Sequence, residues 1–132
     1  MQRAVLLLAV FLVAACSHGR TPNAPPAAGP SGAGQVSVVR NDNLFDWWIS
    51  VKVTFDGEVI ANIRAGEHMV FQAPPGLHTI GVADRGISVA IEGNRMYFFL
   101  ISADTTSQAG FEIERLDPKQ GEKWVSKTKP LP

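Results

Sequence analysis

Three histidines, a few glutamates and scattered serines are the side chains of this 132-residue chain with the means for catalysis or metal binding. Zinc needs three or four convergent nitrogen or sulfur ligands. His18 lies in a stretch without apolar periodicity. His68 and His78 are expected on neighbouring strands of one hairpin, with His78 nearly opposite Gln72, which leaves His68 several residues away along the ladder. No cysteine or paired carboxylate accompanies them, so no metal site is expected. Glu112 and Glu114, with Glu92, resemble the carboxylate pair of a glycosidase only in residue type. Such enzymes need an acid and a second carboxylate across a cleft, whereas alternation sets the two glutamates on the outer face opposite Phe111 and Ile113. Ser50, Ser88 and Ser102 fall within strands and carry no nucleophile-elbow pattern. The expectation is a protein that is not an enzyme and uses no cofactor.

The single thiol, Cys16, has different surroundings. Met1-Gln2-Arg3 is short and carries one positive charge, Ala4 to Val13 is unbroken apolar sequence, and two alanines precede the cysteine. That is the layout of a secretory signal. It is too short to span a bilayer core, which takes about 20 residues. The stretch Val13-Ala14-Ala15-Cys16 resembles the bacterial lipobox. The resemblance implies cleavage between Ala15 and Cys16, a thioether from Cys16 to diacylglycerol, and acylation of the new amine, palmitate being the expected chain. Two or more chains hold a protein stably on a membrane where one does not. Ser17 stands where an aspartate commonly retains such proteins in the inner membrane. The resemblance therefore points to the outer membrane, facing the periplasm. One cysteine forms no internal disulfide even in an oxidising compartment, so the folded part must stand on its own core.

Residues 1–15 are thus read as signal peptide, 16–34 as a lipidated cysteine and tether, and 35–132 as the folded domain. Losing Arg3 turns the balance of 12 basic and 12 acidic residues into a slight acidic excess. That argues against nucleic acid and against a polybasic hold on lipid. The segment from Ser17 to Gly34 is rich in proline, glycine and alanine and lacks periodicity. It is expected to be a disordered spacer. Its glycines follow no strand and lack the lysine of a phosphate loop.

The elements that must position any site are strands. "QVSVVR" alternates with Val36 and Val38 inward. "WWISVKVTF" alternates with Trp47, Ile49, Val51, Val53 and Phe55 inward and with Trp48, Ser50, Lys52 and Thr54 outward. Asp56-Gly57 marks a hairpin into "EVIANI". A three-residue loop would pair Val53 with Val59, Val51 with Ala61 and Ile49 with Ile63, which keeps the faces unmixed. It predicts a type I turn with Gly57 left-handed. Pro74-Pro75-Gly76 predicts a type II turn, Pro75 presetting one position and Gly76 supplying the positive φ. "LHTIGVA", "ISVAIE" and "GFEIERL" follow as strands. "RMYFFLIS" is apolar on both faces, which suits a central strand covered on both sides. Its Tyr97-Phe99-Ile101 face needs a cover, either the Trp124 segment or a second copy. A turn of helix is expected around Pro118 to Val125. Together these predict an all-β, antiparallel β-sandwich of seven to eight short strands with a short C-terminal helix.

Asp56, Gly57, Gly66, Pro75, Gly76, His78, Gly93 and Tyr97 sit in the order strand, Asp-Gly, strand, glycine, strand, Pro-Gly-x-His, strand. That pattern, from about Val36 to Trp124, resembles the lipoprotein family of domain of unknown function 2846, and more distantly PEGA-type β-sandwiches. The resemblance implies a sandwich in the envelope and no catalytic residues. For function, the informative residue is Trp48. Alternation puts it outside beside Lys52, and Leu44 and Phe45 precede it in an expected loop. An exposed patch of this kind marks binding sites. The expected function is a lipid-anchored, non-catalytic interaction or scaffold module with an envelope protein partner or self-association. The alternative is a cell-wall glycan (peptidoglycan or polysaccharide) binder with Trp48 as a stacking platform. If Cys16 carries the anchor, Cys16→Ser leaves the membrane fraction on fractionation and loses its acylated mature mass. Retention at the unchanged mass would contradict this.

Overall fold

The computed structural model describes residues 19–21, 24–25, 32–42, 47–104, 106 and 110–132. Ala15, Cys16, His18, Leu44 and Phe45 lie outside them. Among the described residues, ten strands and one helix follow in chain order: β1 (Gly19–Arg20), β2 (Gly34–Arg40), β3 (Val51–Phe55), β4 (Glu58–Ile63), β5 (Glu67–Ala73), β6 (Gly76–Val82), β7 (Arg85–Ile91), β8 (Met96–Ala103), β9 (Phe111–Leu116), α1 (Pro118–Lys127) and β10 (Lys129–Pro130). They make two open five-stranded sheets, ordered β1-β4-β3-β6-β7 and β10-β5-β2-β8-β9. The architecture is sandwich-like, as expected, but has ten strands rather than seven to eight. Nor is it wholly antiparallel: β2 runs parallel to β8, and β10 parallel to β5.

Alternation builds the interior. Val36, Val38, Val53, Ile63, Phe71, Ile80, Val82, Phe99 and Ile101 are fully buried between the sheets. Each such side chain contributes roughly 1.5–3 kcal/mol by leaving water. β8 is apolar on both faces because it has two covers. Tyr97, Phe99 and Ile101 face the other sheet, while Phe98 and Leu100 face outward with Val39 and Leu116. Trp124 and Val125 of α1 close that second face. The cover of the Tyr97 face is therefore the other sheet, not the Trp124 segment, which lies over Phe98 and Leu100 instead. Asp117 caps α1 by accepting the Gln120 N–H at 3.0 Å, and Pro118 follows in the first turn, where its missing N–H is no loss.

Four local expectations are corrected. First, the Asp56-Gly57 loop has two residues, not three. Asp56 and Gly57 have φ of 50° and 84°, so both are left-handed as in a type I′ turn, and Phe55 pairs with Glu58. The faces stay unmixed because β4 carries a bulge. The register shifts between Thr54↔Val59 and Val53↔Ala61, which leaves Ile60 extra and sets Val51 opposite Ile63.

Second, Pro74 and Pro75 do not close a hairpin. Gly76 takes the expected positive φ, 132°, but β5 and β6 belong to different sheets. His68 and His78 are thus separated by the sandwich.

Third, Trp47 is not in the core. β3 begins at Val51, opposite the last residue of β4, so no ladder remains to carry the alternation back to Trp47 and Ile49.

Fourth, part of the expected tether is ordered. Gly19 and Arg20 pair with Asn62 and Ala61, the Thr21 N–H donates to the Ile60 carbonyl at 3.0 Å, Ala24 packs on the core, and Gly34 opens β2.

Gly121 is the one buried residue of α1. A methyl there would fall on the Phe98 ring. Alanine gains about 1 kcal/mol over glycine in a helix, but overpacking costs about 1–3 kcal/mol, and here the backbones are close. Gly121→Ala is expected to lower the thermal midpoint in calorimetry despite its better helix propensity. A higher midpoint would mean that α1 lifts freely from β8.

Candidate interaction site

One end of the sandwich is organised by a cation. β2 ends at Arg40, which is only 1% exposed. Its Nη1 donates to the Ile49 carbonyl and, at 2.9 Å, to the Ile63 carbonyl. Its guanidinium lies 4.9 Å from the centre of the Phe111 ring. Arg40 therefore ties the end of one sheet to the points where β3 begins and β4 finishes in the other. Its own carbonyl accepts the Gly66 N–H at 3.2 Å. With the Ile49 carbonyl held inward, the side chains just before it stand in solvent. Trp47 is 63% exposed and Trp48 61%, their rings edge to face at 6.1 Å, and Ile49 is partly exposed beside them.

Next to Trp47 runs a groove of about 370 Å³ lined by Asp42, Arg64, Glu67, Lys127 and Lys129. The Glu67 carboxylate accepts the Arg64 N–H at 2.8 Å and shapes the loop into β5. Lys52 is exposed on the outer face of β3, as its register implies. The structure thus places Trp48 and Lys52 in solvent as expected, and adds Trp47, Ile49 and the lysines at the end of α1. The residue that sequence reasoning missed is Arg40.

His68 supports the same end from below. It is 8% exposed, and its Nδ1 lies 2.8 Å from Thr128 Oγ1. The Thr128 hydroxyl donates to the Trp124 and Val125 carbonyls at 3.0 and 3.2 Å, so its oxygen accepts from His68 Nδ1–H. Burial lowers the His68 pKa below its ordinary 6.5.

The remaining chemical candidates resolve into structure. His78 stacks on Phe55 at 4.8 Å. Its Nδ1 meets Asp56 Oδ2 and its Nε2 meets the Pro74 carbonyl, both at 2.7 Å. Both ring nitrogens lie within hydrogen-bond distance of oxygens. The nitrogen that a general base would present is already occupied, and the pair acts as a latch on the turn. Asp56 Oδ1 also accepts the Thr79 N–H at 2.9 Å. Partial burial opposes ionisation of Asp56, but the bonds from His78 and Thr79 and the charge of His78 outweigh it and hold its carboxyl below the ordinary value. Glu112 and Glu114 are exposed on β9. Among the described residues no three His, Cys, Asp or Glu cluster as metal ligands, and no helix is long and apolar enough to cross a membrane.

No family model and no curated protein matches the chain. Among solved structures, the N-terminal domain of AlgF from P. aeruginosa is similar, with a TM-score of 0.45 and 13% identity over 68% of this chain and all of that one.

Two outcomes follow from this geometry. Arg40→Met removes the donor from the buried Ile63 carbonyl, an orphaned acceptor costing about 1–3 kcal/mol, and from the part-buried Ile49 carbonyl. It is expected to lower the denaturation midpoint and to loosen Trp47 and Trp48, read as faster depolarisation of their fluorescence. An unchanged midpoint would show that other groups hold this end.

His68 gives a pH signature. Its folded pKa lies below its unfolded one, so the unfolded chain binds the proton more readily. Stability is full above pH 6.5 and falls as the pH drops toward the lowered folded value. Thermal midpoints measured across that window should decline in the wild type and flatten in His68→Asn. The Asp56 contribution, with its pKa also lowered, is present above about pH 3.9 and lost only below it, which separates the two.

Proposed function

We propose that this is a lipid-anchored protein of the cell envelope, held through Cys16, whose non-catalytic sandwich acts as an interaction module through its Trp47–Trp48 end. The observation that carries the proposal is the pair of solvent-exposed indoles just before Ile49, whose carbonyl Arg40 holds. Large exposed aromatics are rare on monomeric surfaces and concentrate where binding energy does. The positions that carry the resemblance to the family of domain of unknown function 2846 have structural roles. Asp56-Gly57 forms a turn, Gly76 turns the chain with a positive φ, His78 latches the turn, and Tyr97 packs in the core. All are structural, which leaves the exposed tryptophans as the surface that a scaffold needs only if something binds it.

The test is retention of envelope components on the immobilised protein. Wild type and the distal variant Leu77→Ala should behave alike, and Trp47→Ala/Trp48→Ala should lose what they retain. Equal retention by all three would place the binding face elsewhere.

A further inference from the structure

β1 carries information that a flexible tether would not. It pairs antiparallel with β4, Gly19 opposite Asn62 and Arg20 opposite Ala61. From Arg20 back to Gly19, β1 therefore points along β4 from Ala61 toward Ile63. That is the end where Ile63 faces Val51, the first residue of β3, and where Ile49, Trp48 and Trp47 precede it. Cys16 lies three residues before Gly19, a span of at most about 11 Å at full extension. The Thr21 hydroxyl, donating to the Val59 carbonyl at 2.8 Å, helps hold this short strand.

We propose that the Trp47–Trp48 end docks on the surface of the same bilayer that holds the Cys16 lipid, so that the partner of this face is phospholipid. This deepens the interaction-module reading and rests on the lipidation of Cys16. Three observations converge on it. β1 enters its sheet from the tryptophan end, and a lipid three residues before it in sequence would keep that end at high local concentration of headgroups. Tryptophan is suited to the headgroup boundary, with an apolar ring and one polar N–H. Beside Trp47, the groove carries Arg64, Lys127 and Lys129 against Asp42 and Glu67, a cationic excess complementary to phosphate, and Lys52 adds to it on the neighbouring strand. Long basic side chains lay their stems on apolar surface and extend their charge to phosphate. Docked this way, the sandwich turns its opposite end, with Leu77 and Met96 exposed, away from the membrane.

The experiment uses the full-length gene product purified from membranes, its N-terminal peptide weighed in the same preparation. It is reconstituted into vesicles of phosphatidylethanolamine and phosphatidylglycerol with brominated acyl chains, which quench indoles at the interface. The expected result is an acylated peptide, strong quenching of the wild type, and little quenching in Trp47→Ala/Trp48→Ala, where only Trp124, packed against the Phe98 cluster, still emits. Lys127→Glu/Lys129→Glu should quench less than the wild type, with the gap closing at high salt. An acylated protein whose tryptophans stay open to aqueous acrylamide and untouched by bromine overturns docking and leaves the anchor standing. A peptide without acyl chains overturns the anchor and docking together. Copurification of a protein that shields both indoles from brominated lipid assigns the face to that protein and overturns the proposal.

Discussion

The guanidinium of Arg40 is the contact on which the functional end of this molecule depends. Burying an arginine is expensive unless its donors are met. Here Nη1 meets the carbonyls of Ile49 and Ile63, the guanidinium lies against Phe111, and Nε is buried with no hydrogen-bond partner of its own among the described residues. These bonds cross from one sheet to the other. They fix how the strands of the first sheet begin and end, and thereby aim the residues that precede β3. Held by its Ile49 carbonyl, the segment presents two indoles to solvent, edge to face.

The opposite end is locked by other means. The type I′ turn at Asp56-Gly57 suits the strand twist, and its carboxylate reaches His78 and the Thr79 amide. Between the two ends, β8 carries the load of both cores. One face joins the sandwich interior and the other lies beneath α1. The helix C-terminus then lands beside Trp47, where Lys127 and Lys129 complete the groove and Thr128 meets the buried His68. The C-terminal segment thus both seals the second core and supplies charge to the candidate site.

Much of this was legible in the sequence. Period-two alternation marked β2, β3 and β9. The doubly apolar run marked β8 as a covered strand, and Asp117-Pro118 began the helix where expected. What failed did so for identifiable reasons. The alternation through Trp47 outran the ladder, because pairing ends at Ile63 and sequence pattern does not show where a partner strand stops. Face matching alone favours a three-residue turn, and the bulge at Ile60 achieves the same matching with a shorter loop. The Pro-Pro-Gly turn looked like a hairpin because a sheet crossover uses the same residues. Arg40 was readable in principle. It continues the inward series of Val36 and Val38, and a charge at an inward position demands a partner. β1 was not readable at all, since two residues in a proline- and glycine-rich stretch carry no period, and only the exposed edge of β4 gives them a place.

The most direct measurement compares photo-crosslinkers at position 48 and position 77, the two ends of the sandwich, in intact cells. Mass analysis of the adducts tells lipid from protein and glycan. The expected result is phospholipid attached at position 48 and none at position 77, which would confirm that the tryptophan end meets the membrane. Adducts at position 77 with nothing at position 48 would contradict it, and would move the working face of the molecule to the end where Leu77 stands in solvent.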